Sequence, residues 1–375
     1  MPRSAYIHIP FCQQICPYCD FNKYHLKGQP VDDYLKALAK EIQLATEHAP
    51  DNVETVFIGG GTPTVLTLRQ MEFLLDTINR YLKPSPSAEF TIEANPGTVH
   101  YDLLHLMYQN GVNRLSFGVQ SFDETLLKKL GRIHSLRDIY RSIDLARSAG
   151  FTNISIDLMF RLPGQSMDQL EDSVEKAVKL DLPHLSAYSL TIEAGTVYDK
   201  LYQKNRLSLP DEDMEADMFQ LLIDRLTTAG YRQYEISNFA RPGYESRHNL
   251  TYWRNEEYYG FGAGAHGYVK GVRYMNVNGV TAYIKQMFEL GSAREEEHLV
   301  SLKEAMEETM MLGLRLAEGV SKDSFHKRFG IKVEEQYGPQ LHHLLNKGLI
   351  CTDGKRYRLT PKGIFLGNEV FATFI

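Results

Sequence analysis

The sequence predicts an α/β protein, in which βα units form a parallel sheet curved into an open or partial barrel, followed by a small winged-helix-like α+β module. Six β-rich runs alternate with helical patterns at intervals of roughly 25–40 residues, which is typical of βα units. Several helical patterns end at a glycine, such as Gly111, Gly150 and Gly230, and glycine is a common helix stop. A chain of 375 residues is long enough for one large domain and one small one.

The predicted strands are short runs rich in β-branched and aromatic residues. They cover residues 5–10, 55–61, 89–96, 114–121, 153–160 and 184–193. The clearest helical pattern runs from Asp32 to His48, with Leu35, Leu38 and Ile42 on one stripe and charged residues opposite. Further helical patterns cover 67–81, 123–130, 136–149, 166–180 and 211–229. Most of these helices connect one predicted strand to the next, and six such units make an open or partial barrel.

Two changes of pattern divide the chain into three predicted parts. Residues 1–230 carry the βα pattern, and residues 231–299, rich in glycine and tyrosine, are predicted to be a connecting segment. Residues 300–375 are predicted to form a C-terminal module. Its helices lie near 301–317, 321–328 and 333–347, and two short strands are joined by Gly354-Lys355. Three helices and a hairpin are typical of winged-helix modules.

The C-terminal module has a local excess of positive charge. Residues 320–375 carry nine Lys and Arg against five Asp and Glu. One interpretation is contact with DNA, and the simpler one is a solvated surface on a module that packs against the barrel. A winged-helix-like fold does not by itself imply DNA binding.

Composition excludes several classes of protein. With 43% apolar and 23% charged residues the chain can bury a sizeable core, so it is not a disordered protein. No run of apolar residues is long enough for a transmembrane helix. The first ten residues lack the apolar segment of a signal peptide, which predicts a cytoplasmic protein. The net charge of −6 makes nucleic acid a poor candidate for a partner.

Three of the four cysteines lie within eight residues. Cys12, Cys16 and Cys19 form C-x3-C-x2-C in the loop after the first predicted strand, whereas Cys351 is distant. Clustered cysteines in a long cytosolic chain indicate metal binding more than a disulfide framework. Three thiolates on a 4Fe–4S cluster leave one iron without a protein ligand, and a fully ligated cluster would need a fourth cysteine. The open iron can be chelated by a substrate or cofactor.

Two alternatives exist for the cysteine loop. One is a structural zinc site with His8, Asp20 or His25 as the fourth ligand. Structural zinc sites usually have two separated pairs of ligands, which this triplet does not match. The other alternative is three buried thiols without a metal. The clustering of the cysteines and the flanking Pro10 and Pro17 make this alternative the weaker one.

The cysteine loop resembles the signature of radical S-adenosylmethionine (SAM) enzymes, because an aromatic residue, Tyr18, directly precedes the last cysteine. The flanking AYIHIPFC and CDFNKY resemble the family of oxygen-independent coproporphyrinogen III oxidase (HemN). The resemblance covers nearly the whole chain, including the C-terminal module. It implies a partial (β/α)6, TIM-like radical SAM barrel. It also implies one 4Fe–4S cluster, held by Cys12, Cys16 and Cys19, and bound SAM.

Polar residues at the ends of the predicted strands are candidates for the SAM site, because parallel barrels carry their chemistry at the carboxyl ends of the strands. The glycine turn 59–61 closes the second strand and lets the backbone approach a ligand, with free N–H and C=O groups. A buried carboxylate needs a partner, so an alternative for Glu93 and Asp157 is pairing with Arg114 or Arg161. The resemblance assigns SAM binding to Tyr6, Tyr18, Gly60, Gly61, Thr62, Glu93, Gln120, Arg132 and Asp157.

The segment His248-Asn249-Leu250-Thr251-Tyr252-Trp253 fits H-N-x-x-Y-W and resembles the motif that marks the heme chaperones of this family. A core histidine with aromatic neighbours is the alternative. For heme, His248 is expected to supply an axial bond and Asn249 to orient its imidazole. Tyr252 and Trp253 are expected to offer flat apolar surface.

The surroundings of this motif lead to three further expectations. The motif follows Pro242-Gly243, which predicts a mobile connection outside the barrel. Arg247 and Arg254 are expected to pair with the heme propionates. His266, in the glycine-rich stretch 260–271, is interpreted as structural.

Two departures from the oxidases bear on function. The cysteine pattern of the oxidases resembles C-x3-C-x2-C-x-C, but in this sequence Phe21 occupies the position of the last cysteine. The oxidases also carry a substantial extension before the first strand, whereas only four residues precede Ala5 here. The predicted function is therefore that of a heme chaperone. Its implied cofactors are a 4Fe–4S cluster, SAM and heme, and its implied partners are acceptor hemoproteins, membrane-bound respiratory enzymes among them. The alternatives are a radical SAM coproporphyrinogen III oxidase and, more distantly, a zinc-binding structural protein.

Overall fold

The computed structural model describes residues 2–47 and 52–375. His48, where the first predicted helix ends, lies outside these residues. The strands are β1 (Ser4–Ile9), β2 (Phe11–Cys12), β3 (Tyr24–His25), β4 (Thr55–Gly60), β5 (Glu89–Ala94), β6 (Arg114–Gln120), β7 (Asn153–Phe160), β8 (His184–Ser189), β9 (Arg232–Glu235), β10 (Asn238–Ala240), β11 (Tyr259–Phe261), β12 (His266–Val269), β13 (Val272–Asn276), β14 (Arg294–Leu299), β15 (Val320–Ser321), β16 (Ile350–Thr352) and β17 (Arg356–Leu359).

The helices alternate with the strands through the first two thirds of the chain and are concentrated again at its end. They are α1 (Val31–Thr46), α2 (Leu68–Tyr81), α3 (Tyr101–Gln109), α4 (Glu124–Lys129), α5 (Leu136–Ser148), α6 (Met167–Lys179), α7 (Val197–Tyr202), α8 (Glu212–Thr228), α9 (Arg247–Trp253), α10 (Val280–Glu289), α11 (Leu302–Gly313), α12 (Lys322–Phe329), α13 (Val333–Asn346), α14 (Pro361–Phe365) and α15 (Gly367–Ala372). No helix in the described part of the chain is long and apolar enough to cross a membrane.

The main sheet has nine strands in the order β11-β1-β4-β5-β6-β7-β8-β10-β9. Its six central strands, β1 and β4 to β8, are parallel. Each of these six pairs with the one of them that follows it in the sequence. When right-handed crossovers add each new strand at the same edge of a parallel sheet, all the connecting helices lie on one face of that sheet. The sheet then curves into a barrel with the helices outside. The predicted partial (β/α)6 barrel is therefore confirmed, and the six predicted strands match these six.

Several barrel helices start at reciprocal side-chain caps, which fixes where each helix begins after its strand. Thr67 and Gln70 form a capping box at α2, and Ser166 and Gln169 form one at α6. Such caps satisfy backbone N–H groups that have no partner inside the helix. The loops that lead into α2 and α6 are therefore fixed at the point where each helix begins.

Residues 231–299, which the sequence interpretation treats as a connecting segment, contribute to both edges of the main sheet. β10 pairs antiparallel with β8, and β9 pairs with β10. At the opposite edge β11 pairs parallel with β1. The strands β12, β13 and β14 form a separate antiparallel sheet, and α10 packs on α1 with the rings of Tyr34 and Tyr283 5.1 Å apart.

The C-terminal helices and the β15-β17-β16 sheet surround a second hydrophobic core. Met310, Leu314, Phe325 and Leu341 are among its buried side chains. Helices α11, α12 and α13 and the hairpin of β16 and β17 match the predicted winged-helix-like arrangement, although α11 ends at Gly313, earlier than predicted. Two short helices, α14 and α15, complete the chain.

Candidate functional site

The three clustered cysteines lie at the carboxyl edge of the barrel. Cys12 ends β2, which follows β1 directly and pairs with β3, while Cys16 and Cys19 lie in the intervening loop. The loop turns back on itself, because the N–H of Cys19 donates to the carbonyl of Cys16 at 3.2 Å. Cys351 belongs to β16 in the C-terminal module. The three thiols of the motif are therefore the set available for a cluster.

Two of the thiols accept hydrogen bonds from side chains that lie after β4 and after α4. Thr62 Oγ1 donates to Cys12 Sγ at 3.7 Å, and Arg132 Nη1 donates to Cys16 Sγ at 3.6 Å. Burial raises the pKa of the Cys12 thiol and raises that of Cys19 to about 11. A cation is needed to stabilise the thiolates here, and metal binding supplies one while releasing the thiol protons. These residues therefore fit the iron cluster that the motif implies.

A chain of polar contacts joins the two hydrogen-bonded cysteines. Asn95 Nδ2 donates to Thr62 Oγ1 at 2.8 Å, and the Arg132 guanidinium donates to Asn95 Oδ1. The chain runs Cys12–Thr62–Asn95–Arg132–Cys16. Asn95 was not predicted as a site residue, although it lies two residues after Glu93 at the end of β5.

The zinc alternative gains no support from this geometry. No three His, Cys, Asp or Glu side chains within residues 2–47 and 52–375 converge closely enough to hold a single metal ion. His8 is also occupied, because its Nδ1 bonds the Tyr6 hydroxyl at 2.9 Å and its Nε2 bonds the Asn22 carbonyl at 2.7 Å. A fourth zinc ligand from His8 would require breaking one of these bonds.

The glycine turn after β4 differs from its expected role. The N–H of Gly60 donates to Glu93 Oε2 at 3.1 Å, and that of Gly61 donates to the Ile9 carbonyl at 2.9 Å. The N–H of Thr62 also donates within the protein. The expectation that these N–H groups are free for a ligand is therefore wrong. Gly60 has a φ of +109°, and a Cβ there would lie 2.4 Å from the His8 ring, so close packing requires this glycine.

The carboxylates of Glu93 and Asp157 lie near each other inside the barrel. Burial, and then the Asp157 charge, raises the pKa of Glu93 to about 7. Burial also raises the pKa of Asp157, whose Oδ1 accepts from Ser116 Oγ at 3.2 Å. Of the two proposed internal partners, Arg161 pairs with Glu215 at 2.9 Å instead. Arg114 acts electrostatically on both carboxylates but forms no ion pair with either among the described residues.

Gln120 and Arg132 meet at Gly118. A Cβ on Gly118 would lie 2.9 Å from Gln120 Nε2, 3.0 Å from Asn95 Oδ1 and 3.2 Å from Arg132 Nη2. Gln120 itself has a φ of +68°, at a register irregularity between β6 and β7. The structure thus places the ends of β5 and β6 and the Arg132 loop around one small region next to Cys16.

The two predicted tyrosines have different surroundings. Tyr6, on β1, bonds His8 and lies close enough to Glu93 for the carboxylate to raise its pKa, although burial is the larger cause. Tyr18 packs near Tyr198, with ring centroids 6.2 Å apart, and burial raises its pKa as well. Tyr18 is also an electrostatic neighbour of Arg132 and Cys16.

A cavity of about 540 Å³ opens beside the cysteine loop. Its size is within the range of small-molecule sites. Tyr6, Gly60 and Glu93 line it, so part of the predicted SAM set faces this cavity. Thr62 and Arg132 instead line a separate pocket of about 30 Å³ with Cys16 and Asn95. Five aromatic side chains also line the 540 Å³ cavity, namely Tyr6, Phe21, Phe57, Tyr252 and Tyr258.

His248, Asn249 and Tyr252 line the same 540 Å³ cavity, but from within a packed helix. α9 lies against β4, and His248 is fully buried. Its Nδ1 bonds Thr55 Oγ1 and its Nε2 bonds the Tyr252 hydroxyl, both at 2.8 Å. Burial, and then the charge of Arg114, lowers the pKa of His248 to about 3. The expectation of a mobile connection outside the barrel is therefore wrong, and Thr55 and Tyr252, not Asn249, orient the imidazole.

Glu89, at the start of β5, holds the beginning of α9 in place. Its carboxylate accepts the N–H groups of Arg247 and His248 at 2.9 Å each and the Ser246 hydroxyl at 3.4 Å. A carboxylate at a helix N-terminus is favourable for both hydrogen bonding and the helix dipole. This anchor was missed, because 159 residues separate Glu89 from His248.

Trp253 does not face the cavity that the rest of the motif lines. It borders a separate cavity of about 650 Å³ between the barrel and the C-terminal module. The Arg315 guanidinium lies 5.4 Å from the centre of its ring. Arg254 borders this second cavity and pairs with Glu318 at 3.2 Å. We regard the 540 Å³ cavity as the functional one, because Asp20, Phe21 and Asn22, which directly follow Cys19, line it.

An open parallel barrel with a C-x3-C-x2-C loop at its carboxyl edge defines a radical SAM protein. Residues 6–177 match the model of the radical SAM superfamily, and residues 300–366 match that of the HemN C-terminal domain. The solved structure of coproporphyrinogen III oxidase (HemN) from Escherichia coli is 25% identical, with a TM-score of 0.87 over 100% of this chain and 90% of that one.

Full-length relatives define the family more narrowly. The heme chaperone HemW of Bacillus subtilis is 50% identical over 100% of this chain and 99% of the relative. HemW of Lactococcus lactis is 45% identical over 100% and 97%, and HemW of Escherichia coli is 39% identical over 100% and 98%. The chain belongs to the HemW family of radical SAM proteins.

Proposed function

We propose that this chain is a cytoplasmic heme chaperone, which binds one 4Fe–4S cluster, SAM and heme and passes heme to acceptor hemoproteins. Membrane-bound respiratory enzymes are proposed among the acceptors. The observation that carries the proposal is the 540 Å³ cavity, which opens beside the cysteine loop and is lined by three residues of the H-N-x-x-Y-W motif. The full-length similarity to relatives named as heme chaperones supports it.

The cysteine loop is proposed to hold the cluster through Cys12, Cys16 and Cys19. The cluster, when bound, supplies one open iron at which the amino and carboxylate groups of SAM can bind. Thr62 and Arg132 donate hydrogen bonds to two of the sulfur atoms, and Asn95 ties these two donors together. Hydrogen bonds to cluster sulfur atoms are one of the means by which a protein tunes the cluster.

The proposed SAM site extends from this loop to the cavity wall. Glu93 is poised to accept a hydrogen bond from an amino or hydroxyl group, since it already accepts one from Gly60 and faces the cavity. Asp157, Gln120 and Arg132 are proposed to complete the polar end, and Gly60, Gly61 and Thr62 form its backbone wall. Tyr6, on β1, and Tyr18, within the cysteine loop, are proposed to pack against the cofactor.

Heme is the proposed cargo of the aromatic part of the cavity. Tyr252 and Asn249 line it, and His248 forms part of its wall. Of the described residues that line it, the charged ones are the acids Asp20 and Glu93. Arg247 and Arg254, expected to pair with the propionates, do not line it. The propionates are therefore proposed to face solvent at the mouth of the cavity.

The second candidate function is coproporphyrinogen III oxidation. The fold similarity to the Escherichia coli oxidase favours it. Phe21 stands where the oxidases carry a further cysteine, which weighs against it.

One experiment separates the two functions. The full chain, reconstituted with iron and sulfide without air, is titrated with heme and then mixed with a heme-free hemoprotein while absorbance is followed. A parallel sample receives coproporphyrinogen III, SAM and a reductant. We expect saturable heme binding, transfer to the acceptor and no protoporphyrinogen IX. A Trp253→Phe control should bind heme as the wild type does, because Trp253 borders the other cavity. SAM-dependent formation of protoporphyrinogen IX would instead establish the second candidate.

A further inference from the structure

The 540 Å³ cavity is faced by three histidines, and their ring nitrogens differ in availability. Both ring nitrogens of His8 are occupied, by Tyr6 and Asn22, and both of His248 are occupied, by Thr55 and Tyr252. Freeing a nitrogen of His248 for iron would leave a buried hydroxyl without its hydrogen-bond partner, which is unfavourable. The ring of His266 has no hydrogen bond or ion pair within the described part of the chain, and its side chain is exposed.

The backbone at His266 is fixed although the side chain is open. His266 begins β12 and pairs with Met275 of β13. The preceding turn is tied to the cysteine loop, because Asn22 Nδ2 donates to the carbonyls of Ala263 and Asn278, both at 2.9 Å. Gly264, in this turn, has a φ of +73° and approaches Asn22 too closely to carry a Cβ. The His266 imidazole therefore projects from a hydrogen-bonded backbone at the rim of the cavity. The Asn22 side chain connects this rim to the cysteine loop.

The same rim carries an exposed aromatic side chain. Phe21 lines the cavity and is 61% exposed, so its ring is accessible to a molecule bound there. A porphyrin needs a flat apolar surface beside its iron ligand, and the cavity acids exclude its propionates from the interior. A heme held at the rim, with its propionate edge in solvent, satisfies both conditions.

We propose that His266, and not His248, supplies the axial nitrogen to heme iron in this cavity, with Phe21 packing on the porphyrin. This inference rests on the proposed function as a heme chaperone. The role of His248 is then to hold Thr55 and Tyr252 in place and so to shape the cavity wall. The earlier interpretation of His266 as structural is replaced by a ligand role.

The test is a heme titration of the full chain, reconstituted with its cluster without air, for the wild type and His266→Ala. Ferric heme is the probe, followed by its absorption bands and its EPR spectrum. His266→Ala should weaken heme binding by at least about tenfold, since even the loss of a group that supports a metal ligand costs 10–100-fold in metal affinity. Free imidazole should restore the nitrogen-ligated spectrum of the variant. Because His266 is exposed, the variant should retain the fold and the cluster absorbance.

His298→Ala is the matched control, because His298 is also exposed but lies on β14 away from the cavity. It should leave heme affinity and spectrum unchanged. A wild-type spectrum and affinity in His266→Ala would overturn the assignment while leaving heme binding itself intact. An equal loss in His298→Ala would also overturn it. A wild type that binds no heme would overturn the proposed function, which distinguishes the two failures.

Discussion

Replacing Glu89 by Gln should loosen α9, the helix that carries His248. The carboxylate is buried and accepts two backbone N–H groups at 2.9 Å and one hydroxyl at 3.4 Å. Gln keeps the shape of the side chain but removes the charge. It also turns one acceptor into a donor that faces the N–H groups of the helix. One of the two strong contacts is therefore lost.

The magnitude follows from the contact that is lost. A hydrogen bond to a charged group contributes about 1.5–3 kcal/mol, and loss of a helix cap costs about 1 kcal/mol. We expect the free energy of opening α9 to fall by about 2 kcal/mol, which is about 30-fold in the opening equilibrium. α9 has only seven residues, so it is not stable without its anchors.

The assay is amide hydrogen exchange of peptides that cover residues 246–253, because exchange reports local opening. Glu89→Gln should exchange about 30-fold faster there, by the same conversion. Glu54→Gln is the matched control, since Glu54 lies 3.9 Å from Arg247 in a partly exposed ion pair that contributes little. Wild-type exchange in Glu89→Gln, or an equal effect in Glu54→Gln, would refute the anchoring role of Glu89.

Three further predictions concern the cluster, the SAM site and stability. Without air the wild type should hold about four irons per chain; Cys16→Ala should lose them, and iron retained in the variant would contradict the cluster assignment. SAM should change the EPR spectrum of the reduced cluster in the wild type but not in Gly60→Ala, because the added Cβ would lie 2.4 Å from the His8 ring. Gly28→Ala is the control and should respond as the wild type does, because the added Cβ there meets open space. Burial raises the pKa of Glu41 to about 7 from 4.5, so the folded protein holds a proton that the unfolded chain releases, and the free energy of unfolding falls as pH rises through that window. The free energy of unfolding of Glu41→Gln relative to the wild type should therefore rise between these pH values, and a difference independent of pH would contradict this.

The six parallel strands and most barrel helices could be predicted from the sequence, because each depends on a local period and a local stop. The strand at 153–160 has the same bounds in the structure as in the prediction. The short outer strands β9, β10 and β11 could not be predicted, because they have three or four residues each and are specified by their neighbours in the sheet.

In the candidate site, too, residues marked by a local pattern could be predicted, whereas those that depend on distant partners could not. The cysteines could be found from spacing alone. The burial of His248 could not, because its partner Thr55 is 193 residues away and a polar-aromatic motif after Pro242-Gly243 resembles a loop. Asn95 was missed since a single asparagine at a strand end carries no signal until its bonds to Thr62 and Arg132 are known.

The pairing of β11 with β1 has a consequence for the order of assembly during synthesis. β1 leaves the ribosome early and can meet β4 soon afterwards, but its other edge stays open until Phe261 has been made. Asn22 likewise cannot bond Ala263 or Asn278 before then. Chains acquire structure from the N-terminus during synthesis. The nascent chain therefore carries the cysteine loop with one side unsupported for most of its translation, and the support of this loop is completed late.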